Sequence, residues 1–228
     1  FKDQVIFEKG EILNGSGDFY KVFTPYSRVW LEKFNNSNIS LFSLNKSKRN
    51  FLKTDSFPIP SLNDMGFEES DVKIPPLEID RPLIKKYDQV RNFPAINGTS
   101  RIGIHLRFGT ISVRKLALEA AQLNDTYLNE LIWREFYMMI LSHNPQVTDK
   151  AFKPQYDHIP WRNSEEDFQK WCDGKTGYPM VDAGMRQLNE TGYMHNRVRM
   201  VVASFLCKHL LIQWQWGEAY FAEKLLDY

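Results

Sequence analysis

Two stretches of this 228-residue chain carry more polar chemistry than a folded core needs. In NELIWREFY, residues 129–137, Glu130, Trp133, Arg134 and Tyr137 recur at i, i+3, i+4 and i+7. A carboxylate, an indole, a guanidinium and a phenol therefore share one helical face while Leu131, Ile132 and Phe136 point elsewhere. The plainer alternative is an intrahelical Glu130–Arg134 pair at a core edge, which contributes only about 0.2–0.5 kcal/mol. In MHNRVRM, residues 194–200, Asn196, Arg199 and Met200 share a side with Ala203 one turn on, Arg197 leans to the rim, and the apolar run VVASFLC follows at once. Charges that enter a core need partners, because stripping water from an isolated charge is costly. Asn196 acting as a simple N-cap would account for itself but not for Arg199 or the two methionines. In a third stretch, Gly98-Thr99-Ser100-Arg101, hydroxyls and backbone N–H groups fall where a turn gives way to a helix, a geometry suited to holding phosphate.

The elements that must position these groups are mostly helices. Beyond Leu83 the punctuation is regular: Ser112 caps a helix through Leu123, and Thr126 starts one that ends before Asn144-Pro145. Ser164 with Asp167 forms a start like a capping box for a helix stopped at Gly174, and Pro179 opens another closed by Gly192. Asn196 then starts a long buried helix through Gln213, and Gly217 starts the last. Ahead of these, Phe1 to Phe23 reads as short strand-like pieces around the hairpin turn Asn14-Gly15-Ser16-Gly17. SRVWLEKF has helical spacing, with Val29, Trp30 and Phe34 partly on one side, and Asn35 to Pro82 is a Ser-, Asn-, Lys- and Pro-rich arm without a period. The expected fold is mainly α, with a helical domain over 83–228 behind a connecting segment over 1–82.

The bulk numbers narrow the classes. A chain with 43% hydrophobic and 25% charged residues has an ordinary globular profile. The net charge of +1 argues neither for nor against nucleic acid, but the charge is not evenly spread. Glu68, Glu69, Asp71, Glu78 and Asp80 form an acidic stretch, followed by basic residues Lys85, Lys86, Arg91, Arg101, Arg107, Arg114 and Lys115. Aromatics reach 14%, including six Trp, and so many flat side chains need packing partners or a planar ligand. Cys172 and Cys207 make neither a disulfide framework nor a metal motif, so a reduced, metal-free, cytoplasmic protein is expected. The apolar stretch from Met200 to Cys207 falls well short of the roughly 20 residues that span a bilayer, so no membrane association is expected. Phe1 opens the chain without the marks of a signal peptide, which suggests a piece of something longer.

Four motifs in this order, TSR…LRFGTIS, NELIWREFY, GKTGYPMVDAGMRQL and MHNRVRMVVASFL, resemble the photolyase and cryptochrome family, and specifically its cyclobutane pyrimidine dimer photolyases. The resemblance covers nearly all of 87–228, and VFTPYSRVW resembles the segment leading from the family's antenna domain to its flavin domain. It implies a helical domain holding FAD, whose reduced, light-excited form sends an electron to a pyrimidine dimer flipped out of DNA; photolyases are base-flipping enzymes.

Carried over residue by residue, the resemblance implies flavin contacts at Tyr87, Thr99, Ser100, Arg101, Ile102, Gly103, Tyr127, Arg134, Asn196, Arg199 and Asp227, with Arg199 pairing with Asp227. It implies that Glu130 hydrogen-bonds the flipped bases, that Trp133 stacks on them, that Met200 packs on the dimer, and that Arg91 and Arg197 contact DNA. It also implies that Trp161 and Trp214 are the outer and middle members of a tryptophan chain that photoreduces FAD. Gly103 stands where the family usually has a serine, and Tyr193 replaces a commoner Trp. The resemblance further implies a catalytic domain truncated at its C-terminus, lacking the antenna domain and several later flavin-site residues, acting as a monomer on dimer-containing DNA, with an antenna chromophore that the sequence leaves open. Asn196 and Met200 go with dimer repair, since six-four enzymes carry a histidine in place of Asn196. The alternatives are a flavin photoreceptor of cryptochrome type and a cofactor-free, inactive piece of a photolyase.

Overall fold

The computed structural model describes residues 2–41 and 50–228. Its helices are α1 (Phe23–Asn36), α2 (Arg81–Lys85), α3 (Tyr87–Val90), α4 (Gly103–Arg107), α5 (Val113–Leu123), α6 (Asp125–His143), α7 (Glu165–Cys172), α8 (Pro179–Thr191), α9 (Asn196–Lys208) and α10 (Trp214–Lys224). Among the described residues the β content is one bridge, Leu13 to Phe19, closing the expected turn. There the Asn14 side chain accepts from the Ser16 and Asp18 N–H groups. Residues 50–80 run largely exposed until Asp80 caps α2 by accepting from Leu83 N–H at 2.9 Å.

The first core is built on α6. Tyr26, Trp30 and Phe34 recur every four residues along α1 and are buried against α6, as Leu116, Ala117 and Ala120 of α5 are from another side. The N-terminal residues Ile6, Phe7 and Ile12 join the same core. Residues expected to connect therefore pack with the helices beyond position 83; of the expected arm, residues 42–49 lie outside the described residues and 50–80 run largely exposed. The tie is Glu135, a carboxylate 3% exposed. It accepts from the N–H groups of Ile6 at 2.6 Å and Phe7 at 2.9 Å and from the Trp30 indole at 2.8 Å. The start of α6 differs from the expected one: Asn124, not Thr126, caps it by accepting from Tyr127 N–H. Asn is the better cap, and this one also places Thr126 inside the first turn.

The second core joins α7, α8, α9 and α10 around Trp171, Met185, Leu188, Met194, Val202, Leu206 and Ile212. Helices α8 and α9 approach closely because Gly184 has no side chain; a Cβ there would lie 2.5 Å from Val198 Cγ1. The expected long helix stops at Lys208, because Leu211 turns left-handed at φ 53° and buries Ile212 instead of continuing the spiral. The last helix begins at Trp214 rather than Gly217. Gly217 lies inside it, where a Cβ would meet Leu206 Cδ2 at 2.4 Å. As expected, Ser112 and Ser164 cap α5 and α7, Pro179 opens α8, and Gly192 closes it at φ 63°.

Candidate functional site

The two cores meet across a cleft of about 770 Å³. One wall is the polar face of α6, with Glu130, Trp133, Arg134 and Tyr137 all lining the space. The opposite wall is the start of α9, with Asn196, Arg197, Arg199 and Met200. Thr99, Ser100, Arg101, Ile102 and Gly103 run along the cleft, and Tyr87, Arg91, Tyr193, Met194 and Asp227 complete it. Of the eighteen positions expected to act on cofactor or DNA or in catalysis, fifteen line this cleft. Tyr127 stands behind the loop, its hydroxyl 2.9 Å from Ser100 Oγ. Trp214 lines a second, apolar cavity of about 460 Å³ that shares Arg199 and Met200 with the cleft. Trp161 is half-buried ahead of α7 and lines neither cavity.

On the α6 wall the charges are individually tied. Glu130 Oε1 accepts from Arg91 Nη1 at 2.5 Å, so the intrahelical Glu130–Arg134 pair is not formed. Arg134 instead donates to the Gln4 carbonyl at 2.7 Å and, more weakly, to Gln4 Oε1 and the Leu106 carbonyl. Burial pulls its pKa down, and the neighbouring Glu135 carboxylate pushes it back up. Trp133 stacks on Phe23, with ring centroids 3.5 Å apart, and on Tyr137 at 5.5 Å, so two aromatics fix its plane.

On the α9 wall His195, not Asn196, is the N-cap: its Nδ1 accepts from Arg197 N–H at 3.1 Å, and its ring is buried. That leaves the Asn196 side chain exposed and free of a capping duty. Arg199 Nε donates to the Met194 carbonyl at 2.7 Å, and its Nη2 donates to Asp227 Oδ2 at 3.0 Å, the expected pair. Asp227 Oδ1 is buried with no partner among the described residues. Gly103 makes room for that carboxylate, since a Cβ on it would stand 2.7 Å from Asp227 Oδ2. The missing serine hydroxyl thus corresponds to a close approach of Asp227.

The loop between the walls is held by hydroxyl pairs. Thr99 Oγ1 lies 2.8 Å from the Tyr193 hydroxyl, and the Arg101 guanidinium sits 4.7 Å above the Tyr193 ring. Arg101 itself takes φ 52°, a left-handed conformation unusual for a residue with a side chain. The Tyr87 hydroxyl is pushed up to about 12, by burial first and by the Glu130 charge second. At neutral pH it therefore remains a proton donor. His195 was not singled out from the sequence; Tyr137 appeared there only as part of the polar stripe, and Tyr193 only as the replacement of a commoner Trp.

Residues 127–228 match the family model described as the FAD binding domain of DNA photolyase. The chain is 36% identical over 247 residues to the deoxyribodipyrimidine photo-lyase of Vibrio cholerae, covering 100% of this chain and 53% of that protein. It superposes on a bacterial class III photolyase from Agrobacterium tumefaciens with a TM-score of 0.80 at 31% identity, covering 100% of this chain and 52% of the other. An archaeal photolyase from Sulfolobus tokodaii, solved with two FAD molecules, gives 0.73 at 31% identity, with 100% and 51% covered. The helical fold is the one these photolyase structures share. The chain belongs to the photolyase and cryptochrome family, and it spans about half the length of the curated relatives it matches.

Proposed function

We propose that the cleft holds FAD and that the intact protein uses it for light-driven repair of cyclobutane pyrimidine dimers in DNA. The observation that carries this reading is the convergence of Glu130 and Trp133 with Asn196 and Met200 on opposite walls of one cleft, beside the Thr99–Arg101 loop. The donor set suits a flavin dinucleotide. Thr99, Ser100 and Arg101 offer hydroxyls and a cation to phosphates, and the unpartnered, buried Asp227 Oδ1 offers an acceptor to a ring or ribose donor. The volume of about 770 Å³ is in the range of cofactor clefts. A cytoplasmic setting accords with the two cysteines, both free.

Reduced FAD, when bound and excited by light, supplies the electron that opens the cyclobutane ring. The chain's own residues supply position and electrostatics. The Arg199–Asp227 pair ties α9 to the C-terminal segment, whose Asp227 carboxylate lies against Gly103 at the start of α4, setting the width of the flavin site. Asn196, exposed at the first turn of α9, is available to a flavin ring, and Arg134 presents a cation whose own carbonyl partners fix its height in the cleft. Trp133 lines the same wall and is the indole proposed to meet a flipped base, and Met200 packs a deformable thioether from the other wall. Glu130 accepts hydrogen bonds from base N–H groups in a partly dry site, where such bonds discriminate strongly. Arg197 and Arg91 are the residues assigned to DNA, Arg197 as an exposed cation at the rim. Trp214, beside Arg199 and Met200 in the neighbouring cavity, would relay electrons to a bound flavin for its photoreduction, with Trp161 as its outer partner, both roles resting on the resemblance.

Two measurements test the reading. The visible spectrum before and after adding FAD is expected to acquire flavin bands with vibronic structure, and a flat spectrum would refute the cofactor site. In the intact protein, Glu130→Ala is expected to retain FAD while weakening dimer binding by about tenfold and slowing repair, the effect of losing one hydrogen bond to a charged group. Unchanged repair would remove Glu130 from the site, and bound flavin with no repair by the unsubstituted protein would favour a photoreceptor.

A further inference from the structure

Two arginines of the cleft assigned to DNA behave differently. Arg197 is exposed, and its Nε donates to Asn92 Oδ1 at 3.0 Å, which leaves the end of the guanidinium to solvent, as a rim contact to phosphate requires. Arg91 follows the last turn of α3, and its side chain is only 16% exposed. Its guanidinium lies 5.3 Å above the Tyr87 ring and gives Nη1 to Glu130 Oε1 at 2.5 Å. A cation committed in this way to an aromatic face and a carboxylate has little left for a phosphate outside. The carboxylate gains what the phosphate would lose. Glu130 is a long, flexible side chain on the wall of a cleft, and one of its oxygens is pinned while Oε2 has no hydrogen-bond partner among the described residues.

We infer that Arg91 is a positioning residue for Glu130 rather than a phosphate contact. It freezes the carboxylate in one rotamer, keeps Oε1 occupied, and presents Oε2 to an N–H donor on the Watson–Crick edge of a flipped pyrimidine. The entropy of fixing Glu130 is thereby spent on folding and not on binding. Charge balance within the cleft follows the same logic, because the guanidinium compensates the carboxylate whether or not a neutral base is present. The short segment 87–92 then acts as a bridge between the walls, with Arg91 holding α6 through Glu130 and Asn92 holding α9 through Arg197. The inference rests on the repair reading, since it gives Glu130 a base to recognise.

Salt dependence separates the two roles. Equilibrium binding of the intact, FAD-loaded protein to a single-stranded oligonucleotide with one thymine dimer, and to its undamaged counterpart, would be followed between about 50 and 200 mM salt. Arg91→Gln is expected to lose about tenfold in dimer affinity while the slope of log K against log salt keeps its value, and to cost little more in a Glu130→Gln background. Arg197→Gln serves as the contrast, lowering the slope by about 0.7 for one lost phosphate of a single strand and weakening both oligonucleotides together. The inference is overturned if Arg91→Gln lowers the slope in the same way, or if its cost adds in full to that of Glu130→Gln. Retained flavin absorbance certifies the fold of each variant, and Arg91→Lys, which keeps the charge but loses the fork, replaces Arg91→Gln if that protein fails to fold. A native protein with no preference for the dimer would overturn the repair reading and the inference with it, a result distinct from an altered slope.

Discussion

The two walls of the cleft are held by different kinds of contact. Arg134 on α6 is fixed through the carbonyl of Gln4, and its neighbour Glu135 through the N–H groups of Ile6 and Phe7, so this wall depends on chain about 130 residues away. On α9, Arg199 is fixed through Met194, five residues back, and through Asp227, 28 residues on, while His195 caps the helix from the adjoining position. The α6 wall is therefore bound to the integrity of an N-terminal segment with no chemistry of its own. The α9 wall is assembled mostly from one stretch of sequence and its close helix neighbours, with one long tie from Arg197 to Asn92. Helix α6 shows why both arrangements suit a site: its polar stripe can face a cleft only because Glu135, on the other side, finds enough donors to stay buried.

The sharpest way to break this contrast is to cut the long-range tie. Glu135→Ala leaves the Ile6 and Phe7 N–H groups and the Trp30 indole without their acceptor inside the first core, a loss of about 3–5 kcal/mol. Thermal or denaturant unfolding is expected to show that loss together with exchange of the Ile6 and Phe7 amides, and hydrogen exchange in α8 and α9 is expected to change far less. Equal deprotection in both cores would mean that the walls do not differ in the manner described.

A change in the other core is expected to be smaller. In Gly184→Ala the new methyl would stand 2.5 Å from Val198 Cγ1 and 3.1 Å from Val202 Cγ2, and both valines are stiff about χ1. Overpacking costs about 1–3 kcal/mol, of which the better helix propensity of Ala returns about 1. A net loss of about 1 kcal/mol is expected in denaturant unfolding, with FAD affinity falling because α9 is displaced. Retained affinity at that stability cost would separate the packing of α8 from the shape of the cleft.

The contrast also explains what could be read from sequence. The α9 wall was largely legible in MHNRVRM, whose helix starts at Asn196 as expected, but the cap at His195 and the tie of Arg197 to Asn92 were not. The α6 stripe was legible as a period, but the partners of its charges were not. Nothing local signals that Arg91 will reach Glu130, 39 residues on, or that Gln4 will hold Arg134. Two of the helix boundaries that failed, the end of α9 and the start of α10, share a cause. Leu211 and Gly217 are set by how Ile212 and Leu206 pack, so tertiary contacts overrode the local pattern in which Gly reads as an end. The packed role of residues 6–34 was hidden for the same reason, because their partner Glu135 lies more than 100 residues away in the sequence.

The smallest expected effect is a divergence in pH response, from two buried carboxylates with opposite shifts. Burial holds the Glu135 pKa above the ordinary 4.5, outweighing its three donors. The native state then binds a proton that the unfolded chain has already released, so stability falls as pH rises through the window just above 4.5. Asp182, at the start of α8, is also pushed up by burial, but the Thr176 hydroxyl and N–H and the Gly177 N–H at 3.0 Å prevail and hold it below 3.8. Its contribution is present above 3.8 and is lost as pH falls through its lowered native value. Urea unfolding of the native chain against pH, beside Glu135→Gln and Asp182→Asn, is expected to lose the upper segment of the profile in the first variant and the lower segment in the second. If both segments vanish together in either variant, the two carboxylates titrate as one system, and the cores cannot be treated as independently held.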